Sequence, residues 1–458
     1  MNAGGFRLRM NLSSVSLRDV LAHRRVRAVF HLLTGTAATL ALTLLSIALV
    51  ARLLTPAPYG VFAMILTLGQ ACERLLSFQS WQPLIRSGAT IDLQRDEASY
   101  FALLKFGWLL DIGGSVAAWA IASALTIAGH FLFGISLEHV GYTLLFVTSL
   151  LFNFNGVSTA IFRLAGQYRA VAHIQVVNAL IRLLCVAGAY LAGAGMVHII
   201  IIWTITQILG SLLNFAWAMR LLPKPGFRQL LKASTKGINS RFPHIWRFAL
   251  GSNISLTLWS SAQAVDTLIV GWLADPASAG LFHIAKRISR VVMQVGAQVQ
   301  AVVYPDLSRL VAAGKRRAFV RVLLQTEMLL AAFGACCFIG MLLVGGPLMR
   351  IAVGPHFAGA VPLLTVQILA VTLTMSGSAS RAGLLALGDQ RALLKTTMAC
   401  TLAFYCAVFP LVPLVGAMGA NIAHLLFGAI WLGGLAFYLR RAISAARWAD
   451  ASEKSVEC

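Results

Sequence analysis

The chain has 458 residues, of which 59% are hydrophobic and 11% charged, with a mean hydropathy of +0.80. A soluble domain carries roughly 25% charged residues, so this composition excludes a water-soluble globular fold and points to an integral membrane protein. A formal net charge of +22 would suit nucleic acid, but the placement of the basic residues assigns it to membrane topology, and no nucleic-acid partner is expected.

Apolar runs near 20 residues long read as membrane helices. After a basic tail at 1–30, such runs fall at 31–51, 60–81, 102–127, 140–162, 170–192 and 197–219. A central basic segment at 220–246, punctuated by Pro223, Pro225 and Pro243, interrupts them. Further runs follow at 247–272, 280–303, 320–345, 359–385, 393–413 and 416–439, and a second tail occupies 440–458. The expected architecture is therefore all-α, with twelve spans in two six-helix bundles, 31–219 and 247–439. The first run is too long for a signal peptide and lacks a small-residue cleavage site, so it is expected to stay as the first helix. Thr55-Pro56-Ala57-Pro58 and Ala192-Gly193-Ala194-Gly195 read as tight turns between spans. The seven cysteines form no CxxC pair and the ten histidines no HExxH motif. No disulfide, metal site or cofactor is expected.

The basic residues alternate sides with the spans. Arg74, Arg182, Lys286, Arg287, Arg290 and Arg381 lie within spans, and only Arg52 and Arg350 fall on one side. The remaining Lys and Arg cluster in the tails, the central segment and the connections of the other side. This bias predicts that the basic side, with both termini, is cytoplasmic. There the charge also meets anionic membrane lipids.

Several stretches recur in the second half. Leu54-Thr55-Pro56-Ala57-Pro58-Tyr59-Gly60-Val61-Phe62 returns as Leu273-Ala274-Asp275-Pro276-Ala277-Ser278-Ala279-Gly280-Leu281-Phe282. Lys105 and Asp111 return as Arg321 and Glu327, and Ala165-Gly166-Gln167-Tyr168-Arg169 as Leu387-Gly388-Asp389-Gln390-Arg391. Six spans per half is an even number, so the repeats run parallel. Doubled membrane chains of this kind are mostly transporters, with the substrate site between the halves.

Charges near the bilayer centre cost roughly 2.5–3.5 kcal/mol each on insertion scales, so those inside spans are candidates for function. Lys286, Arg290, Gln294 and Gln298 follow one another at four-residue spacing on one face of the eighth span, with Arg287 beside them. Arg290 lies about 15 Å from the outer end of that helix, near mid-membrane. These residues are expected to form a cationic wall for an anionic substrate, with Lys286 open to pairing with Asp266 of the seventh span. Ser252, Ser255, Trp259, Gln263 and Asp266 form a polar stripe on the seventh span, matched by Thr36, Thr39, Thr43 and Ser46 on the first. Gln175, Asn178 and Arg182 share a face of the fifth span, and Arg381 closes a serine cluster in the tenth. Asp111 and Glu327, at equivalent places in the two repeats, are read either as a proton relay or as members of structural ion pairs, for instance with Arg74. No Walker sequence, GxSxG or DxD-type cluster speaks for covalent chemistry, so a transporter rather than an enzyme is expected.

Val50-Ala51-Arg52-Leu53-Leu54-Thr55-Pro56-Ala57-Pro58-Tyr59-Gly60-Val61-Phe62-Ala63 resembles the start of polysaccharide transporters of the Wzx type, the O-antigen flippase family of the MOP superfamily. So do Val302-Val303-Tyr304-Pro305-Asp306-Leu307-Ser308-Arg309-Leu310 and Leu384-Leu385-Ala386-Leu387-Gly388-Asp389. The resemblance implies a V-shaped pair of bundles around a central cavity in the bacterial inner membrane. It implies movement of an undecaprenyl-pyrophosphate-linked oligosaccharide, by alternating access, for O-antigen, capsule or exopolysaccharide assembly. A polysaccharide polymerase and a chain-length regulator are the protein partners it implies. Cavity arginines in related flippases are thought to engage pyrophosphate, a role matched here to Arg290 by chemistry alone. A drug or cation antiporter of the same superfamily is one alternative, disfavoured by the cationic stripe. A membrane polysaccharide polymerase is another, disfavoured by the short outer connections.

Overall fold

Without water to satisfy backbone groups, an apolar run must close its hydrogen bonds within a helix, and among the described residues the chain is helical with no strand. The structure is a computed structural model. It describes residues 24–76, 80–89, 91, 96–133, 136–223, 226–243, 245–446 and 448, except for the side chains of 24–33, 132–133, 168 and 247–259. Most of both tails, and the side chains of Ser252, Ser255 and Trp259, lie outside the described residues.

The first half comprises α1 (Arg24–Leu53), α2 (Pro56–Leu76), α3 (Trp81–Gly88), α4 (Glu97–Phe133), α5 (Leu137–Val147), α6 (Asn155–Leu164), α7 (Tyr168–Leu191) and α8 (Met196–Arg220). Two short helices, α9 (Phe227–Lys232) and α10 (Ile238–Arg241), lie in the central segment. The second half comprises α11 (Ile245–Leu273), α12 (Pro276–Ala312), α13 (Arg316–Val353), α14 (Ala360–Ser376), α15 (Ser378–Ala386), α16 (Gln390–Val415) and α17 (Ala417–Ala445). Ten spans among the described residues are long and apolar enough to cross a membrane. Beside them run α11 and α12, 29 and 37 residues long. The cations of α12 dilute its hydropathy, but its length exceeds what a crossing needs, about 20 residues.

The halves repeat one another in packing. Helix α1 packs on α7 as α11 packs on α16, α7 on α8 as α16 on α17, and α2 on α4 as α12 on α13. The turn before α7 and the turn before α16 each require a left-handed residue, and Gly166 (φ 67°) and Gly388 (φ 80°) supply it at matching positions.

Several helices begin earlier than the apolar pattern predicts. Pro56 and Pro276 stand in the first helical turn, where a missing N–H costs nothing. Asp275 caps α12 by accepting from the Ser278 backbone N–H at 2.9 Å.

The fourth and tenth expected spans are each broken. A 3₁₀ segment, Thr148–Phe152, separates α5 from α6, and Gly377 separates α14 from α15. A break exposes the backbone N–H groups at the start of the second piece. Asp111 of α4 accepts from the Val157 N–H at 2.8 Å and from the Ser80 hydroxyl at 2.5 Å. In the other repeat, Glu327 of α13 accepts from the Ser380 hydroxyl and N–H at the start of α15. The equivalent acids therefore cap equivalent breaks. Neither makes an ion pair among the described residues, which corrects the expected pairing with Arg74.

The halves meet at the end that carries Arg52 and Arg350, the basic-poor end. There the repeated Pro-x-x-x-Gly stretches of α2 and α12 lie face to face. A Cβ on Gly60 would stand 1.6 Å from the Pro276 carbonyl oxygen, and one on Gly280 2.5 Å from the Pro56 carbonyl oxygen. Small residues of this kind let two backbones touch in lipid. Arg52 adds a cross-half bond by donating to the carbonyls of Ile351 and Ala352 at the end of α13, the favourable place for a cation at a helix C-terminus. The ring of Tyr59, fully buried, meets Phe357 edge-on with centroids 5.4 Å apart.

Candidate functional site

From the glycine contact the two inner helices lead toward the other end, and a gap of about 820 Å³ opens between the halves. The floor of this gap is a hydrogen-bonding pair across the halves, the Tyr59 hydroxyl and His283 Nδ1 at 2.9 Å. Arg287 projects into the gap from α12, one turn beyond His283, because residues four apart share a helix face. Arg182 enters from α7 and Arg74 from α2. Arg74 lies about four turns beyond Gly60 and is exposed.

Arg182 is held in place by neutral groups. Its Nε donates to Thr206 Oγ1 at 2.9 Å, and its guanidinium stands 5.0 Å from the centroid of the Trp203 ring, within cation–π range. Arg287 Nε is buried and has no acceptor. Among the described residues Arg74, Arg287 and Arg290 make no ion pair. One carboxylate, Glu73, shares the gap, and it accepts from the Asn153 amide at 2.6 Å. The guanidiniums are close enough for like-charge repulsion, Arg182 with Arg287, and Arg290 with both Arg287 and Arg74. Glu73 offsets part of the charge of Arg74, and the cluster still leaves a net positive charge, the arrangement that favours a multiply charged anion.

Two further polar cavities flank the gap. In the second half, Lys286, Arg290, Gln263, Gln367 and His424 line one of about 410 Å³. Lys286 is spent within the protein: its Nζ pairs with Asp266 Oδ1 and donates to the Gln263 carbonyl at 2.7 Å. The other Asp266 oxygen lies 2.8 Å from His424 Nε2, and the Thr267 N–H donates to Oδ1 at 2.6 Å. Asp266 is 0% exposed, so this closed set removes Lys286 from the free cations of α12. In the first half a cavity of about 890 Å³ is lined from α1, α6, α7 and α8, and it shares Arg182 and Gln207 with the gap.

The structure thus brings Arg182 and Arg287 together at the gap and sets Arg290, Lys286 and Gln263 in the adjoining cavity. Gln294 lies further along α12 and lines none of these spaces, because the helix runs on past them. Arg381, half-buried on α15, is also outside them, and Asp111 and Glu327 act as caps elsewhere. Sequence reasoning missed Arg74 as a member of the cluster, His283 as the floor and His424 as the partner of Asp266. The positions of His283 and Arg287, four apart on one apolar helix, carried a readable signal. The pairing of His424 with Asp266 spans 158 residues and left none. No group of His, Cys, Asp and Glu among the described residues is placed to hold a metal ion.

Comparison with known proteins places this geometry. The fold is that of an inward-facing multidrug resistance transporter of the MATE family in the MOP superfamily, with a TM-score of 0.72 at 15% identity over 89% of this chain and 95% of that one. It is also that of the lipid II flippase MurJ in an inward closed conformation, with a TM-score of 0.65 at 15% identity over 90% of this chain and 89% of the other. In sequence, the chain is 23% identical over 324 residues to the inner membrane protein YghQ of Escherichia coli strain K12, covering 70% of this chain and 90% of that protein. Residues 49–362 match the family model of polysaccharide biosynthesis proteins. The chain is a member of that family, the polysaccharide biosynthesis proteins.

Proposed function

We propose that this protein is a flippase that carries a lipid-linked oligosaccharide across the bacterial inner membrane for surface polysaccharide assembly. The observation that carries this reading is the group Arg74, Arg182 and Arg287, drawn from both halves into one gap and unmatched by ion-pairing carboxylates among the described residues. A pyrophosphate head with sugars cannot enter hydrocarbon, because burying it without partners costs many kcal/mol. Guanidinium forks match phosphate oxygens in geometry and charge, so the gap offsets that cost while the polyprenyl tail stays in the bilayer. A cationic drug would meet repulsion from the same cluster. No bond need be made or broken.

In this reading the basic end, with both termini, faces the cytoplasm, and the glycine contact seals the outer end. The head enters from the cytoplasmic leaflet beside exposed Arg74. Arginines of opposite halves repel while the gap is empty and are drawn together by a bound anion, which closes the basic end as the outer contact parts, in the rocking expected of parallel repeats. The inside-negative potential adds about 2.3 kcal/mol per charge per 100 mV to outward movement of negative charge. Membership of the polysaccharide family and the likeness to a lipid II flippase support the substrate class. A polymerase and a chain-length regulator are the protein partners this role implies.

The test replaces Arg287 by Gln and Arg74 by Gln and follows surface polymer at matched protein levels. Loss of polymer with lipid-linked repeats retained on the cytoplasmic leaflet is expected. Normal surface polymer in both variants would sink the proposal.

A further inference from the structure

The first-half cavity differs chemically from the arginine gap it adjoins. Its volume, counting the part open to solvent, is about 890 Å³. Its lining is built from carboxamides: Gln175 and Asn178 from α7, and Gln207 and Asn214 from α8. None of these four makes a side-chain hydrogen bond among the described residues, and Asn178 Oδ1 is buried without a partner. Asn178, Gln207 and Asn214 are half-buried and Gln175 is exposed; a buried amide oxygen is ordinarily paired, so the idle Asn178 Oδ1 among these carboxamides marks a surface kept for a ligand. Gly210 makes the room, since a Cβ there would stand 2.5 Å from Asn178 Nδ2. The hydroxyls of Thr39 and Thr43 are turned to their own helix backbone. No carboxylate and no aromatic ring lines the cavity, and its one charge is Arg182, shared with the gap.

We infer that this cavity is a sugar subsite, reading the uncharged sugar next to the pyrophosphate through its hydroxyl or acetamido groups. The inference rests on the flippase reading and deepens it. A carboxamide offers both a donor and an acceptor, matching sugar hydroxyls, which also do both. A cavity meant for an acidic sugar would present several cations, and one meant for a lipid tail would be apolar. Arg182, common to both spaces, places the first sugar beside a phosphate oxygen. The cavity therefore selects the proximal sugar, and sugars further along the chain extend beyond it.

The test uses purified full-length protein in nanodiscs and three probes: a short polyprenyl pyrophosphate, and the same lipid bearing N-acetylglucosamine or galactose. The wild type is expected to bind at least one sugar-bearing probe more tightly than the bare lipid. The Gln175→Met and Asn214→Leu variants, near-isosteric and cavity-facing, are expected to lose about tenfold of that preference, the loss of one or two neutral hydrogen bonds. Their unchanged binding of bare polyprenyl pyrophosphate reports that they are folded. Wild-type binding of both sugar-bearing probes no tighter than the bare lipid overturns the subsite, as does undiminished preference in the variants. If the wild type binds none of the three, or if Arg287→Gln leaves all binding intact, the flippase reading itself falls.

Discussion

Replacing Gly60 by Ala isolates what the contact between α2 and α12 does. In an unconstrained helix interior, Ala in place of Gly stabilises by about 1 kcal/mol. Here the added Cβ would lie 1.6 Å from the Pro276 carbonyl oxygen and 3.1 Å from the Gly280 nitrogen. A relaxed C···O contact stands at about 3.3–3.6 Å, so the two backbones must part by roughly 2 Å. The obstacle is backbone on an opposing helix and has no rotamer to yield. Overpacking of this kind costs about 1–3 kcal/mol and acts only on the state in which the basic-poor end is closed. The population of that state should fall by roughly 5- to 150-fold relative to the open one. Gly280→Ala, at 2.5 Å from the Pro56 oxygen, should act in the same direction and more weakly.

Spin labels on exposed Ala57 and His356, one from each half at the basic-poor end, would report the separation. Both glycine variants are expected to shift the label distances to longer values. Gly113→Ala on α4, where a Cβ meets nothing within 4 Å, should leave them unchanged and raise thermal stability. Distances in Gly60→Ala that match the wild type, in a folded protein, would refute the claim that this contact is the outer seal.

Three further outcomes are expected. Asp266→Asn leaves Lys286 buried without its counter-charge and should cost about 3–5 kcal/mol, whereas Asp266→Leu with Lys286→Met should recover most of that; equal thermal losses in detergent for the two would contradict the pairing. Asp111→Asn removes a carboxylate that holds the start of α6 and should lower stability by about 1–3 kcal/mol while leaving the pH dependence of transport unchanged, and an unaltered melting curve with transport lost would restore the proton-relay reading. Asp275→Ala should cost about 1 kcal/mol as a lost cap. Desolvation raises the Asp275 carboxyl, but bonds from the Ser278 side chain and backbone outweigh it and hold the group below its ordinary 3.8, so the capping contribution is complete at neutral pH and fades only as pH falls below that value, as a pH series of melts would show.

The helices were legible because lipid imposes a single rule on every span, about 20 apolar residues in helical form. Their ends were less so, since Pro56 read as a turn residue and Pro276 fell before the span expected at 280–303, yet both stand in first turns. The breaks before α6 and α15 left no mark of their own. Each is stabilised by an acid on a different helix, and such a partner cannot be found by periodicity. The repeat did contain that information in part: Asp111 and Glu327 were visible as equivalents, and only their partners were not. At the site, Arg182 and Arg287 were legible as charges inside spans. The place of Arg74 beside them depends on how α2 lies against α12, a relation set by Gly60 and Gly280 across the repeat.

The three cations of α12 show why type and spacing alone do not assign a role. Lys286, Arg287 and Arg290 occupy one stretch of helix and carry the same charge. Lys286 points at α11 and α17, where Asp266 and His424 wait, and its charge is cancelled in a buried set of hydrogen bonds. Arg287, one residue on, is turned by about 100° and faces Arg182 of the other half, with an Nε that finds no acceptor. A buried cation left unmatched by its own protein is costly, and a fold retains it when something outside the fold supplies the missing charge. The partnered lysine therefore belongs to the stability of the second half. In the flippase reading proposed above, the unpartnered arginines belong to the anion that passes between the halves.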